Sequence, residues 1–201
     1  MGLIVKENEN TDFKPCPAGT HVAICTGLVD LGLQVNKFDT SKAPREKVAL
    51  FWTLPDVLRE DGNPFVVREV YTATLNKNKQ GTPSKLRSCL DAWRGVPFTE
   101  EDLKGFDLTK ILCKPCMLSI VHEEKKEGGV YANINSVLAM MKGMPIPELP
   151  ESSLILHFDT ENPSLEDFQK LPEWVQNMIR QSVEWEAIFS KMNTLEGVPN
   201  S

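Results

Sequence analysis

No apolar run in this 201-residue chain approaches the roughly 20 residues that a helix needs to cross a bilayer. The opening stretch, MGLIVKENENTDFK, has four apolar residues before it turns polar, too few for the core of a secretory signal. A soluble protein of the cytoplasm is therefore expected. Gly2 invites an N-myristoylation reading, which fails because position 6 is Lys rather than Ser or Thr. Cysteine is scarce and odd in number: five, spread over residues 16–116, which argues for free thiols rather than a disulfide framework. The three histidines, His21, His122 and His157, lie far apart with no matched carboxylate spacing. Neither a phosphate-binding G-x-x-x-x-G-K-[ST], nor a G-x-S-x-G elbow, nor an H-E-x-x-H zinc helix occurs. The expectation is a non-enzymatic protein with no cofactor and no metal.

What is present is an uneven distribution of charge. The formal net charge is −6, and from residue 148 onward ten acids face three bases. Residues 1–147 are close to neutral, with nineteen bases and eighteen acids. Within them, YTATLNKNKQGTPSKLRSCLDAWRG (71–95) carries Lys77, Lys79, Lys85, Arg87 and Arg94 against a single acid, Asp91. Bulk positive charge of the kind that grips duplex DNA is missing, but a local cationic groove is compatible with this pattern.

Hydrophobic periodicity predicts a long strand with interior glycines over 21–35, a second over 47–54 and a third over 64–75, the last two joined by an Asp61-Gly62 hairpin turn. In the second strand Val48, Leu50, Trp52 and Leu54 share one face, and Ala49, Phe51 and Thr53 the other. A helix follows, capped by Thr82, with Pro83 in its first position and Gly95 at its end. Its apolar stripe is Leu86, Cys89, Leu90 and Trp93. Thr99 and Asp102 predict a capping box and a further short helix. Strands over 114–124 and 129–140, joined by a KKEGG turn, complete the set. Five strands with a helix between the third and fourth is the order of a Greek-key barrel of the oligonucleotide-binding type. The expected organisation is such a barrel over residues 1–145, then an acidic extension over 146–201. The extension opens with a proline-rich linker and adds a strand at 154–158, a short helix from Ser164 and one amphipathic helix over 172–190.

Proteins that hold unpaired nucleic acid use aromatic platforms for the bases and cations for the phosphates. Phe51, Tyr71 and Tyr131 fall in expected strands, and Lys37, Lys42, Arg45, Lys47, Lys77 and Lys79 in or beside the intervening loops. The competing reading is that Phe51 and Tyr71 are core and the lysines only keep loops soluble. Arg87 and Asp91, four apart, suit a pair on the helix surface. Cys113 and Cys116 form C-K-P-C, a spacing shared by zinc and dithiol sites. It lacks further ligands nearby except His122 and enters a strand rather than a helix, so it reads as structural.

The Tyr71-Thr72 strand, the Leu86-Arg87…Trp93-Arg94-Gly95 helix, Phe98-Thr99, Phe106-Asp107-Leu108 and Tyr131-Ala132-Asn133-Ile134 together resemble a family of bacteriophage single-stranded DNA-binding proteins with the oligonucleotide-binding fold. The resemblance covers about residues 15–140 and, more loosely, Leu171-Pro172-Glu173-Trp174. Two positions depart from it: Cys113 stands where glycine is expected, and the chain ends GVPNS rather than in a short acidic, aromatic tip. The resemblance implies a protein that coats single-stranded DNA in the host-cell cytoplasm during phage replication or recombination. The residues offered for this are Phe51, Tyr71 and Tyr131 for stacking, with Lys47, Lys77, Lys79, Arg87 and Arg94 for phosphates. The acidic C-terminal helix would compete with DNA, bind a replication or recombination protein, or form a homodimer contact through Trp174 and Trp185. The alternative is an interaction module that binds a host or replisome protein through its acidic surface.

Overall fold

In a computed structural model, the protein is described over residues 14–124 and 129–195. The polar leader up to residue 13, most of the KKEGG turn and the GVPNS end lie outside the described residues.

Alternating apolar residues build the sheet around one long strand, β1 (Gly19–Gln34). Its first half, Gly19 to Ile24, pairs antiparallel with β4 (Pro115–Glu124), and its second half pairs antiparallel with β2 (Arg45–Leu58). The expected hairpin joins β2 to β3 (Pro64–Thr72), and β5 (Val130–Leu138) pairs with β4. The order is β3-β2-β1-β4-β5, with β6 (Leu156–Phe158) running parallel to β1 beside Gly27, Leu28 and Val29. No ladder joins β3 to β5 among the described residues, so this mainly-β fold is an open sheet of six strands rather than the closed five-stranded ring expected. Helix α1 (Lys85–Arg94) packs against both of those outer strands.

Helix α1 begins two residues later than expected. Ser84, not Thr82, is its cap, accepting the Arg87 N–H, and Gly95 closes it in the left-handed conformation at φ 71°. At Thr99 the capping box forms: Asp102 accepts from the Thr99 N–H at 3.0 Å, and Thr99 Oγ1 accepts from the Asp102 N–H at 3.1 Å. In place of the expected helix a 3-10 turn over Asp102–Lys104 follows, ended by Gly105, and then a second over Leu108–Ile111.

Two apolar cores lie on opposite faces of β1 and β2. The inner one gathers Cys25, Leu50, Trp52, Leu54, Tyr71 and Leu118 with Leu86, Leu90 and Trp93 of α1. The outer one sets Val29, Leu31, Ala49 and Phe51 against α2 (Leu165–Lys170), α3 (Glu173–Arg180) and α4 (Trp185–Leu195). Polar contacts fix this docking: Thr160 donates to Asp30, the Leu33 N–H to Glu184 Oε2 at 3.0 Å, and Gln34 Nε2 to the Met178 carbonyl at 2.8 Å. The Val183 N–H donates to the Leu33 carbonyl at 2.9 Å. These last contacts explain why the single helix expected over 172–190 is broken. Residues 181–184 turn aside to meet β1, and α3 and α4 form on either side.

Gly27, at a bulge in β1, is required by the outer core. A Cβ there would lie 2.7 Å from Phe51 Cδ2 and 2.8 Å from Phe51 Cβ. Because the ring is sealed, Gly27→Ala is expected to destabilise the fold by about 1–3 kcal/mol, read as a lower urea midpoint. An unchanged midpoint would mean that the ring yields freely.

Candidate nucleic-acid interface

Residues 73–84 form a braced loop between β3 and α1. The Asn78 side chain accepts from the Gln80 N–H at 3.0 Å and the Thr82 N–H at 2.9 Å, and Lys77 bridges to Pro83 across the loop. The loop's base is tied to α1, since Ser84 Oγ donates to the Thr74 carbonyl and Arg87 Nη1 to the Leu75 carbonyl at 3.3 Å. Lys77 and Lys79 are thus exposed on a fixed platform. Facing it is the start of β2, where Arg45 and Lys77 line one cleft of 670 Å³ and Lys47 stands opposite Thr72 in the ladder.

The other cations read from the sequence as candidates are engaged inside the chain. Arg87 is largely buried, with Nε 3.7 Å from Asp91, and holds the loop. Arg94 bonds Asp102 at 3.1 Å and lies 4.3 Å over the Phe98 ring. Lys85 meets Glu69 at 2.8 Å, Lys42 meets Asp39 at 3.2 Å, and Lys37 donates to Gln181. By contrast, Arg45, Lys47, Lys77 and Lys79 form no ion pair among the described residues.

Two of the three expected stacking rings are not presented at the surface. Tyr71 is 3% exposed, faces the inner core under α1 and donates its hydroxyl to Cys89 Sγ at 3.5 Å. Burial pushes its phenol far above the usual tyrosine range. Phe51 does point away from the inner core, as strand alternation predicts, but it is 4% exposed because Trp174 covers it, ring centroids 5.9 Å apart. Tyr131 is exposed on β5, opposite Glu123. Trp174 and Trp185, named for a homodimer contact as one of three alternative roles of the C-terminal helix, pack within the chain, the latter on Phe168 and Phe189.

The sequence reading missed Arg68 and Arg59. Arg68 is directly opposite Phe51 in the β2–β3 ladder and lies 4.1 Å over the Trp174 ring. The signal was available: Arg68 alternates on the same strand face as Thr72, and so on the face of Phe51.

The C-K-P-C pair does not converge. Cys116 is buried in β4, whereas Cys113 is exposed and its N–H donates to the Cys25 carbonyl at 2.8 Å. Burial raises the thiols of Cys16 and Cys89 to about 11 and that of Cys25 to about 12, so they remain protonated at neutral pH. No cluster of three or more metal-ligating side chains occurs among the described residues. Cys113 has φ 58°, a left-handed conformation that costs a side-chain-bearing residue about 1–2 kcal/mol. Cys113→Gly is therefore expected to leave stability unchanged or raise it by up to about 1 kcal/mol, measured by thermal unfolding. A clear loss would show that the thiol contributes packing.

No protein-family model matches the chain, and a search of curated proteins finds no significant match.

Proposed function

We propose that the protein binds single-stranded DNA without catalysis, coating and protecting unpaired strands. One observation carries this reading. Arg45 and Lys77 line one cleft together with Glu46, Lys79 stands on the same braced loop and Lys47 beside it on β2, and none of these four cations is ion-paired among the described residues, while the neighbouring Lys85, Arg87 and Arg94 are spent on internal contacts. Four unpaired cations held apart on rigid backbone follow a flexible phosphate chain better than a duplex, and do so locally despite a negative protein. The strand order, which matches an oligonucleotide-binding barrel short of its closing ladder, supports the same reading. The sequence resemblance adds the setting of phage replication or recombination.

A labelled oligonucleotide titrated at two salt concentrations tests it. Single strands should bind more tightly than duplex, with affinity falling as salt rises. The double variant Lys77→Glu, Lys79→Glu should weaken binding by about tenfold or more and flatten the salt dependence. Unchanged affinity in that variant removes the cleft from the argument.

A second reading is favoured by a different cleft, of 480 Å³, where Asp30, Glu46, Asp107, Asp159 and Glu161 converge. A basic protein partner would suit it. Absence of oligonucleotide binding even at low salt, with Lys77 and Lys79 intact, would favour that interaction module.

A further inference from the structure

A separate cleft of 380 Å³ lies between the outer face of the β2–β3 hairpin and the segment leading into the C-terminal helices. Thr26 and Thr53 line it, each 2% exposed, their hydroxyls 2.8 Å apart. On one side stand the Phe51 and Trp174 rings, with the Arg68 guanidinium 4.1 Å over Trp174. Arg59 lines the same cleft but is paired with Asp61 at 2.9 Å, whereas Arg68 forms no ion pair among the described residues. Across from them, Ser153 Oγ is buried with no hydrogen-bond partner among the described residues. A buried hydroxyl left in that state costs free energy that a polar ligand edge would recover.

These features specify the ligand's chemistry. A flat π-surface matches the Trp174–Arg68 stack, since guanidinium planes and indoles both stack on aromatic heterocycles. Hydroxyls donate or accept equally, so they satisfy the polar edge of any base without selecting one. Arg68, in no ion pair among the described residues, suits an anion attached to that ring. The volume falls within the range of small-molecule pockets, about 300–1,000 Å³. We propose that this cleft seats one unpaired nucleotide of a bound strand, its base against the Trp174–Arg68 stack. The inference rests on the single-strand reading and deepens it. The acidic C-terminal segment becomes part of the binding site through Trp174 and Ser153, instead of competing for it.

The test compares a labelled oligo-dT with an oligomer of equal length and charge whose central nucleotides are abasic. The wild-type chain should prefer the base-bearing strand by roughly tenfold, the size of one stacking contact. Arg68→Ala, at an exposed side chain, should abolish that preference, and Trp174→Ala, checked for folding by circular dichroism, should do the same. Lys77→Glu should lower affinity for both strands equally and keep the preference. A parallel titration with dTMP, followed by tryptophan fluorescence, separates the two claims. Tight oligomer binding with an intact base preference in Arg68→Ala and Trp174→Ala overturns the pocket and leaves strand coating standing. Binding of dTMP that Arg68→Ala abolishes, without oligomer binding, overturns coating and the seating of a strand's nucleotide, and leaves only a site for a free nucleotide. Failure of both ligands overturns both.

Discussion

A chain ending at Pro150 is expected to lose its cooperative fold. The cut removes β6 and α2 to α4, the whole cover of the outer core, and opens Val29, Leu31, Ala49 and Phe51 to water. Each buried Val, Leu or Phe contributes about 1.5–3 kcal/mol. Exposing three of them, with Ala49, approaches the total stability of an ordinary domain, about 5–15 kcal/mol. The shortened chain should show weak near-ultraviolet circular dichroism, bind a hydrophobic dye and aggregate at concentrations where the full chain does not. A well-folded monomer with the full chain's urea midpoint would show that the outer core contributes little.

Trp52→Ala should cost about 3–5 kcal/mol, the usual range for removing a large buried aromatic. Trp52 is fully buried at the centre of the inner core, its ring 6.0 Å from that of Trp93. Trp52→Phe separates two contributions. The indole Nε1 has no hydrogen-bond partner among the described residues, so phenylalanine keeps most of the packing and removes an orphan donor. Its expected cost is about 1–2 kcal/mol, read from the same denaturation curves. Equal losses for the two substitutions would contradict this ranking.

The strands were legible because their signals are local. Alternation in 47–54 assigned Val48, Leu50, Trp52 and Leu54 to one face, and these are the inner core. Asp61-Gly62 marked the hairpin, and Gly95 the end of α1. What alternation cannot convey is what lies beyond a face. Phe51 points outward as read, but its exterior is a second core supplied by residues more than a hundred positions later. The same limit hid the cleft at Arg68, which exists only once Trp174 arrives. Charge counting found the island at 71–95, and the four-residue spacing paired Arg87 with Asp91, but neither could separate Lys77 and Lys79, which remain uncommitted, from Arg94, whose partner Asp102 becomes apparent only in three dimensions.

The reach of β1 across the chain also sets an order of events during synthesis. Asp30 waits for Thr160, 130 residues on, and Leu33 for Glu184, 151 residues on. While a ribosome is still translating the middle of the message, α1 and the first five strands have their mutual partners available, but the far side of β1 does not. Nascent chains therefore carry an uncovered greasy strip until the last quarter emerges, and such distant closures are slow. Chaperone occupancy on ribosome-bound intermediates stalled near residue 150 should accordingly exceed that on the released protein.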